Sequence, residues 1–216
     1  MSQTTPGNDQ KRGTTAHRLF ATYYERVSRS RSERNFMEPL RKEIAGQASG
    51  VVLEIGAGNG LNFAFYDPGL VERVEAIEPD TAMLRYARAR IATAKVPITL
   101  TQTPVEVLPF ADETFDCAIA TLVFCSVSNP AGGLREIWRI LKPGGKLLLL
   151  EHVRSQGTIA GLIQDILVPV TTRIAGNCHW NRNTERAVAA AGFEIEYRHD
   201  LGGVLVPMVM LRAIRT

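Results

Sequence analysis

Val51-Val52-Leu53-Glu54-Ile55-Gly56-Ala57-Gly58-Asn59-Gly60 is the stretch on which the reading of this chain turns. A run of aliphatic residues, patterned like a buried strand, passes directly into glycines at alternate positions. Glycine admits positive φ and lets a ligand approach the backbone with no Cβ in between. A helix over Leu61–Tyr66 is expected to follow, its first N–H groups free to attract a carboxylate or phosphate. A tight strand-to-helix turn that binds nothing is the competing reading of the same residues.

Working outward, short apolar runs alternate with helical patterns. Strands are expected at Val51–Ile55, Val74–Ile77, Ile98–Thr101, Phe115–Ala120 and Lys146–Glu151, with further helices over Thr81–Ala94, Ala131–Leu141 and Thr184–Ala191. Such alternation favours a parallel sheet with right-handed crossovers. Phe193–Tyr197 and Val204–Ile214 lie too close for a helical crossover, so this last pair should be antiparallel. Upstream, Ala16–Ala48 reads as helical. Leu19, Phe20, Tyr23, Tyr24 and Val27 recur at three- and four-residue steps, and Phe36, Met37, Leu40 and Ile44 form a second amphipathic stretch. Between them Arg26, Arg29, Arg31 and Arg34 suit either a solvated face or contact with an anionic surface. Residues 1–13 have the composition of a disordered tail. The organisation expected is one domain over 14–216: a helical cap at 14–48, a cofactor-binding half at 49–151 and an acceptor-side half at 152–216.

The totals narrow the classes. With 216 residues, 45% hydrophobic and 22% charged, the chain suits one well-buried α/β domain. A net charge of +3 does not argue for a nucleic-acid partner. Apolar runs reach roughly eight residues, as at Val204–Leu211, against about 20 for a membrane helix. No integral membrane segment or signal peptide is expected, peripheral lipid contact stays open, and the compartment expected is the cytoplasm. Cys117, Cys125 and Cys178 are odd in number and lack metal-ligand spacing, so neither a disulfide framework nor a metal site is expected.

A dinucleotide fingerprint would put its third glycine at position 61, which is Leu61; here it comes one residue early, at Gly60. That weakens a nicotinamide or flavin reading. The second strand ends at Glu78, 18 residues beyond Gly60, where a carboxylate can accept both hydroxyls of a ribose. Asp80 or Thr81 is expected to cap the helix that follows.

Glu54-Ile55-Gly56-Ala57-Gly58-Asn59-Gly60 resembles motif I of the class I S-adenosylmethionine-dependent methyltransferases, and Ile77-Glu78-Pro79 their motif II. Leu108-Pro109-Phe110 before Phe115-Asp116, and Arg139-Ile140-Leu141-Lys142-Pro143-Gly144-Gly145, resemble the segments before their fourth and fifth strands. The resemblance implies a Rossmann-like α/β fold: a seven-stranded, mostly parallel sheet with an antiparallel last strand, helices on both faces and an N-terminal helical cap. It implies S-adenosyl-L-methionine as cofactor and S-adenosyl-L-homocysteine as product. Glu54, Gly56, Ala57, Gly58, Asn59 and Gly60 would face the methionine end, Glu78 and Pro79 the ribose, and Met83 the adenine edge. Many relatives carry Asp where this chain has Pro104, which leaves adenine to the backbone of Val105 and Glu106. Thr121, at the end of the fourth strand, and Tyr24, in the capping helix, complete the cofactor contacts.

In an open α/β sheet ligands sit beyond the carboxyl ends of the strands. His152, after the fifth strand, is placed to take a proton from a thiol, hydroxyl or amine as general base. Cys125, Cys178, His179, Asn181 and Arg182 are candidates for the acceptor pocket. Leu122-Val123-Phe124-Cys125-Ser126-Val127, Glu151-His152-Val153 and Gly176-Asn177-Cys178 resemble the thiol methyltransferase-like (methyltransferase-like 7) branch and its bacterial relatives. The reaction implied is in-line methyl transfer to a small nucleophilic acceptor, a thiol foremost. A phospholipid N-methyltransferase is the alternative, and a non-catalytic S-adenosylmethionine-binding regulatory module the second.

Overall fold

The computed structural model describes residues 9–174 and 176–216, with side chains from residue 18 onward except that of residue 174. Seven strands form one sheet: β1 (Gly50–Ile55), β2 (Val71–Ile77), β3 (Ile98–Thr101), β4 (Phe115–Thr121), β5 (Leu141–His152), β6 (Phe193–Asp200) and β7 (Met208–Arg215). Their spatial order is β3-β2-β1-β4-β5-β7-β6. The first five pair in parallel, and β7 runs antiparallel to both β5 and β6. This is the mostly parallel sheet expected.

Period-two alternation divides each central strand between two cores. Leu53, Ile55, Ala118, Ala120, Leu147 and Leu149 pack on one face. There they meet Leu134 and Ile137 of α4 (Pro130–Ile140) and Val188 of α6 (Thr184–Ala190). Val52, Cys117, Ile119, Leu148 and Leu150 pack on the other. That face is covered by Ile44 and Ala45 of α2 (Glu38–Ala45), by Phe63 and Tyr66, and by Ala87 of α3 (Thr81–Ile91). Burial on both faces explains why β1 reads as a continuous apolar run rather than an alternating one.

Four expectations are corrected. No α-helix follows the glycine loop: Phe63–Phe65 is one 3-10 turn, because Asp67-Pro68-Gly69 lies too close for a helix to extend. The helical cap is broken into α1 (Asp9–Val27), a π-helical turn at Glu33–Met37, and α2. α1 begins inside the stretch expected to be disordered; residues 1–8 lie outside the described residues. Val204–Pro207 is not strand, and β7 starts at Met208. One helix, α5 (Thr158–Ile174), was not expected at all. Its sequence is apolar almost all round and carries Pro169, so it shows no helical stripe.

Candidate active site

The glycine loop owes its shape to three positive φ angles, +60° at Gly56, +56° at Gly58 and +82° at Gly60. The three glycines are needed for different reasons. A Cβ on Gly56 would lie 2.7 Å from Val123 Cγ2, and one on Gly60 2.7 Å from the Phe63 ring. A Cβ on Gly58 would meet only the Gly56 carbonyl, at 3.9 Å. Packing therefore fills the space at Gly56 and Gly60 and leaves it open above Gly58.

Glu78 ties that loop to the next strand. Gly58 N–H donates to Glu78 Oε2 at 2.9 Å and Asp80 N–H to Oε1 at 2.8 Å. Burial raises the Glu78 pKa, against the pull of these two amides. Asp80 caps α3 as expected, accepting from Ala82 N–H at 2.7 Å. Met83 is buried with Ala21 and Ala82, and Phe20, Tyr24 and Tyr86 pack around them. α1 thus lies over the start of α3. The carbonyl of Pro79 accepts from Gln102 Nε2 at 3.2 Å.

Glu54 is nearly inaccessible and sits beneath the loop, where Tyr66 Oη donates to it at 2.7 Å and Asn62 Nδ2 at 3.1 Å. Burial pushes its pKa up to about 7, despite those bonds and the nearby Arg41. Asn62 also donates to Thr121 Oγ1 at 3.1 Å and accepts from Arg41 Nη1 at 3.3 Å. Arg41 reaches Tyr24 Oη at 3.3 Å and Glu33 at 2.8 Å. Tyr24, Thr121 and Glu54 are therefore joined through Arg41 and Asn62. Neither linking residue stands out in the sequence.

A second network fastens α1 to the loop. Asn59 Nδ2 donates to Glu25 Oε2 at 2.7 Å, and Arg90 bonds both Glu25 oxygens and the Asn59 carbonyl. Burial raises the Glu25 pKa, but bonds from Arg90, Asn59 and Arg29 outweigh it and hold the carboxyl below its usual range. α1 consequently buries polar Glu25, with Ser28 just beyond its end, and turns Leu19, Tyr23 and Val27 outward. Of the five apolar positions at helical spacing in α1, Phe20 and Tyr24 pack inward and the other three do not. At the expected adenine end, Val105 is buried and Glu106 Oε1 accepts from Asn129 N–H at 3.0 Å.

The segments beyond β4 and β5, where the acceptor pocket was expected, are organised by Glu151, to which the sequence assigned no role. Fully buried, it accepts from the amides of Val123, Phe124 and Cys125 at 2.8, 2.9 and 3.3 Å. Desolvation raises its pKa well above the ordinary value. These bonds shape the chain beyond β4, where Leu122 takes φ +59°. Arg182 Nη1 donates to Phe124 O at 2.6 Å and Val127 O at 2.7 Å, and Arg182 also reaches His179 Nδ1 at 3.3 Å. Cys178 Sγ lies 3.9 Å from His152 Nδ1. The bond from Cys125 lowers the Cys178 pKa, which nothing in the sequence signals, while that bond and burial raise Cys125. Asn181 instead turns to Asp165 of α5, at 2.8 Å. Gln164, buried in α5, accepts from Ser155 N–H and donates to the carbonyls of Val153, Trp180 and Leu205. A cavity of about 260 Å³ is lined by Phe124, Leu134, Arg182 and Thr184 among others.

This architecture has relatives. A family profile described as a methyltransferase domain matches residues 53–149. Thiol S-methyltransferase TMT1B of Rattus norvegicus is 34% identical over 167 residues, 70% of this chain and 64% of that protein. TMT1B of Homo sapiens is 30% identical over 179 residues, 73% and 68% of the two chains. Among solved structures, a possible histamine N-methyltransferase from Thermotoga maritima superposes with a TM-score of 0.69 at 22% identity, covering 94% of this chain and 99% of that one. The chain belongs to the S-adenosylmethionine-dependent methyltransferase family, and S-adenosylmethionine is the family's cofactor. It spans about two thirds of the length of the thiol S-methyltransferases it matches, 64% and 68%. Among the described residues no helix is long and apolar enough to cross a membrane.

Proposed function

We propose that this protein transfers a methyl group from S-adenosylmethionine to a small nucleophile, a thiol first among them. The observation that carries this reading is the open space above Gly58 beside the buried carboxylate of Glu78, in a loop whose other glycines are packed by Val123 and Phe63. A ligand that needs bare backbone next to an acidic group fits there. Gly56–Gly60, with Glu54 and Thr121 behind them, would hold the methionine end. Glu78 and Pro79 would take the ribose, Met83, Val105 and Glu106 the adenine, with Tyr24 over them. The cofactor supplies a methyl carbon already activated by a sulfonium. The protein's part is then placement, holding the nucleophile in line with that carbon. His152 stands at the end of β5 to accept the proton an attacking thiol must lose, with Cys125, Cys178, His179 and Arg182 around it. Similarity to two thiol S-methyltransferases favours sulfur as the nucleophile. With a small-molecule acceptor and no nucleic-acid partner, the cytoplasm is the compartment this reading suits.

Calorimetric titration tests the cofactor. S-adenosylmethionine should bind and NAD should not, and Glu78→Ala should weaken binding by about 1–3 kcal/mol. Equal affinity for NAD, or an unchanged Glu78→Ala, would sink the assignment. For the acceptor, labelled methyl transfer should favour thiols over phenols, amines and phospholipid. His152→Ala should lower that turnover and leave S-adenosylmethionine affinity unchanged.

Phospholipid N-methylation is the second reading. It is favoured by apolar side chains left exposed on α1 (Leu19, Tyr23) and α5 (Ile159, Leu162, Ile166, Val170). Flotation with anionic liposomes decides it: no co-flotation at low salt removes the lipid.

A further inference from the structure

Two thiols and an imidazole, drawn from three separate parts of the chain, meet at the carboxyl ends of β4 and β5. Cys125, His152 and Cys178 each offer one ligand atom, and these atoms all lie within 4.8 Å of one another. A tetrahedral ion with ordinary zinc bond lengths holds two thiolates and an imidazole about 3.6–3.8 Å apart, so closing this set takes about 1 Å of movement or less.

The cluster is held in place from both sides. His179 N–H donates to Cys125 O at 2.6 Å, and Asn177 Nδ2 to Ser126 O at 2.9 Å. With the two bonds from Arg182, these fasten the segment around Cys178 onto the segment around Cys125. Glu151, adjacent in sequence to His152, accepts from the Cys125 amide itself. Outer hydrogen bonds of this kind orient the ligands in protein metal centres.

We infer that Cys125, His152 and Cys178 bind a thiophilic divalent cation of the zinc class, leaving its fourth position for the sulfur of an incoming thiol. Thiolate and imidazole suit zinc and its neighbours, whereas magnesium and calcium require oxygen ligands. Three protein ligands and one open position are the pattern of zinc sites that act on a substrate. Binding releases the protons of Cys125 and Cys178 to solvent. A thiol taking the fourth position loses its proton in the same way, which leaves a sulfur lone pair for the methyl carbon. In the loaded site His152 is a ligand, and the ion, by acidifying the thiol, takes over the task that His152 would perform as base in the metal-free protein. The incoming thiol rests on the methyl-transfer reading; cation binding does not.

Cobalt(II) is the probe, added to the whole chain after chelator treatment and reduction with a phosphine. A single equivalent should bind with thiolate-to-cobalt charge transfer and the visible bands of tetrahedral cobalt. Cys125→Ser, His152→Ala and Cys178→Ser should each weaken binding more than a hundredfold, beyond the roughly 10–100-fold that follows loss of an outer partner. Cys117→Ala, buried elsewhere in the core, should leave it unchanged. S-adenosylmethionine affinity retained in the three variants would tie the loss to the ligands. Ethanethiol should shift the charge-transfer bands, and an unmoved spectrum would remove the fourth-position claim. The site is overturned by the absence of a cobalt spectrum, by one the three variants leave intact, or by a Cys125–Cys178 disulfide that excludes the metal. Full thiol methylation by chelator-stripped protein would overturn the cation while leaving the methyl-transfer reading standing.

Discussion

The two sides of the carboxyl edge of the sheet are built by different rules. Within the glycine loop the decisive bonds are donated by backbone amides to the next strand: Gly58 N–H meets the Glu78 carboxylate 20 residues on, and Ala57 N–H meets the Ile77 carbonyl. Beyond β4 and β5 the contacts run from side chains to carbonyls across 51 to 58 residues, from Asn177 and Arg182 back to the Ser126 segment. Backbone geometry with glycine tolerates little substitution, so the glycine-loop side carries a recognisable motif. A loop fastened by side chains can change its chemistry while the sheet stays intact. Donor and acceptor specificity can therefore vary separately on one fold.

The largest expected effect tests what holds the segment beyond β4 together. Glu151→Ala leaves three amides, two of them buried, without an acceptor and should cost about 3 kcal/mol or more in urea unfolding. A loss below about 1 kcal/mol would mean that Arg182 alone shapes that segment.

The next prediction separates the glycines. Gly58→Ala should cost only the positive-φ penalty, about 1–2 kcal/mol, yet abolish measurable cofactor binding by calorimetry. Gly56→Ala should cost more, because its methyl would also collide with Val123. If Gly58→Ala bound the cofactor normally, the open space would belong to no ligand.

The smallest effect lies beneath the loop. Glu54 titrates at about 7 in the folded protein against 4.5 when exposed, so the folded state holds its proton longer. Its contribution to stability is then fully present below pH 4.5, declines as pH rises towards 7, and levels off above. Glu54→Gln should flatten that decline in a pH series of thermal melts. An unchanged slope would show the charge satisfied by Arg41 and Asn62.

What the sequence revealed follows the same division. The strand-glycine transition at Ile55-Gly56, Glu78 and the Asp80 cap were legible because each depends on residues close in the chain. Arg41, Glu25 and Arg90 were not, because they read as surface charges until α1 and α3 are packed against the loop. Cys125, His152 and Cys178 have no ligand spacing along the chain, and only the sheet brings them within reach. α5 escaped notice for another reason: a helix apolar on most sides gives no periodic signal.

The order of strands also bears on how the chain is made. β7, the last of the seven to be synthesised, lies inside the sheet between β5 and β6. Until residues 208–215 emerge, β5 presents an unpaired apolar edge and β6 has no partner. A nascent chain at that stage carries an edge of the kind that recruits other strands. Closure is thus deferred until the last of the seven strands is made, and for that interval the half-built sheet is the form most in need of a chaperone.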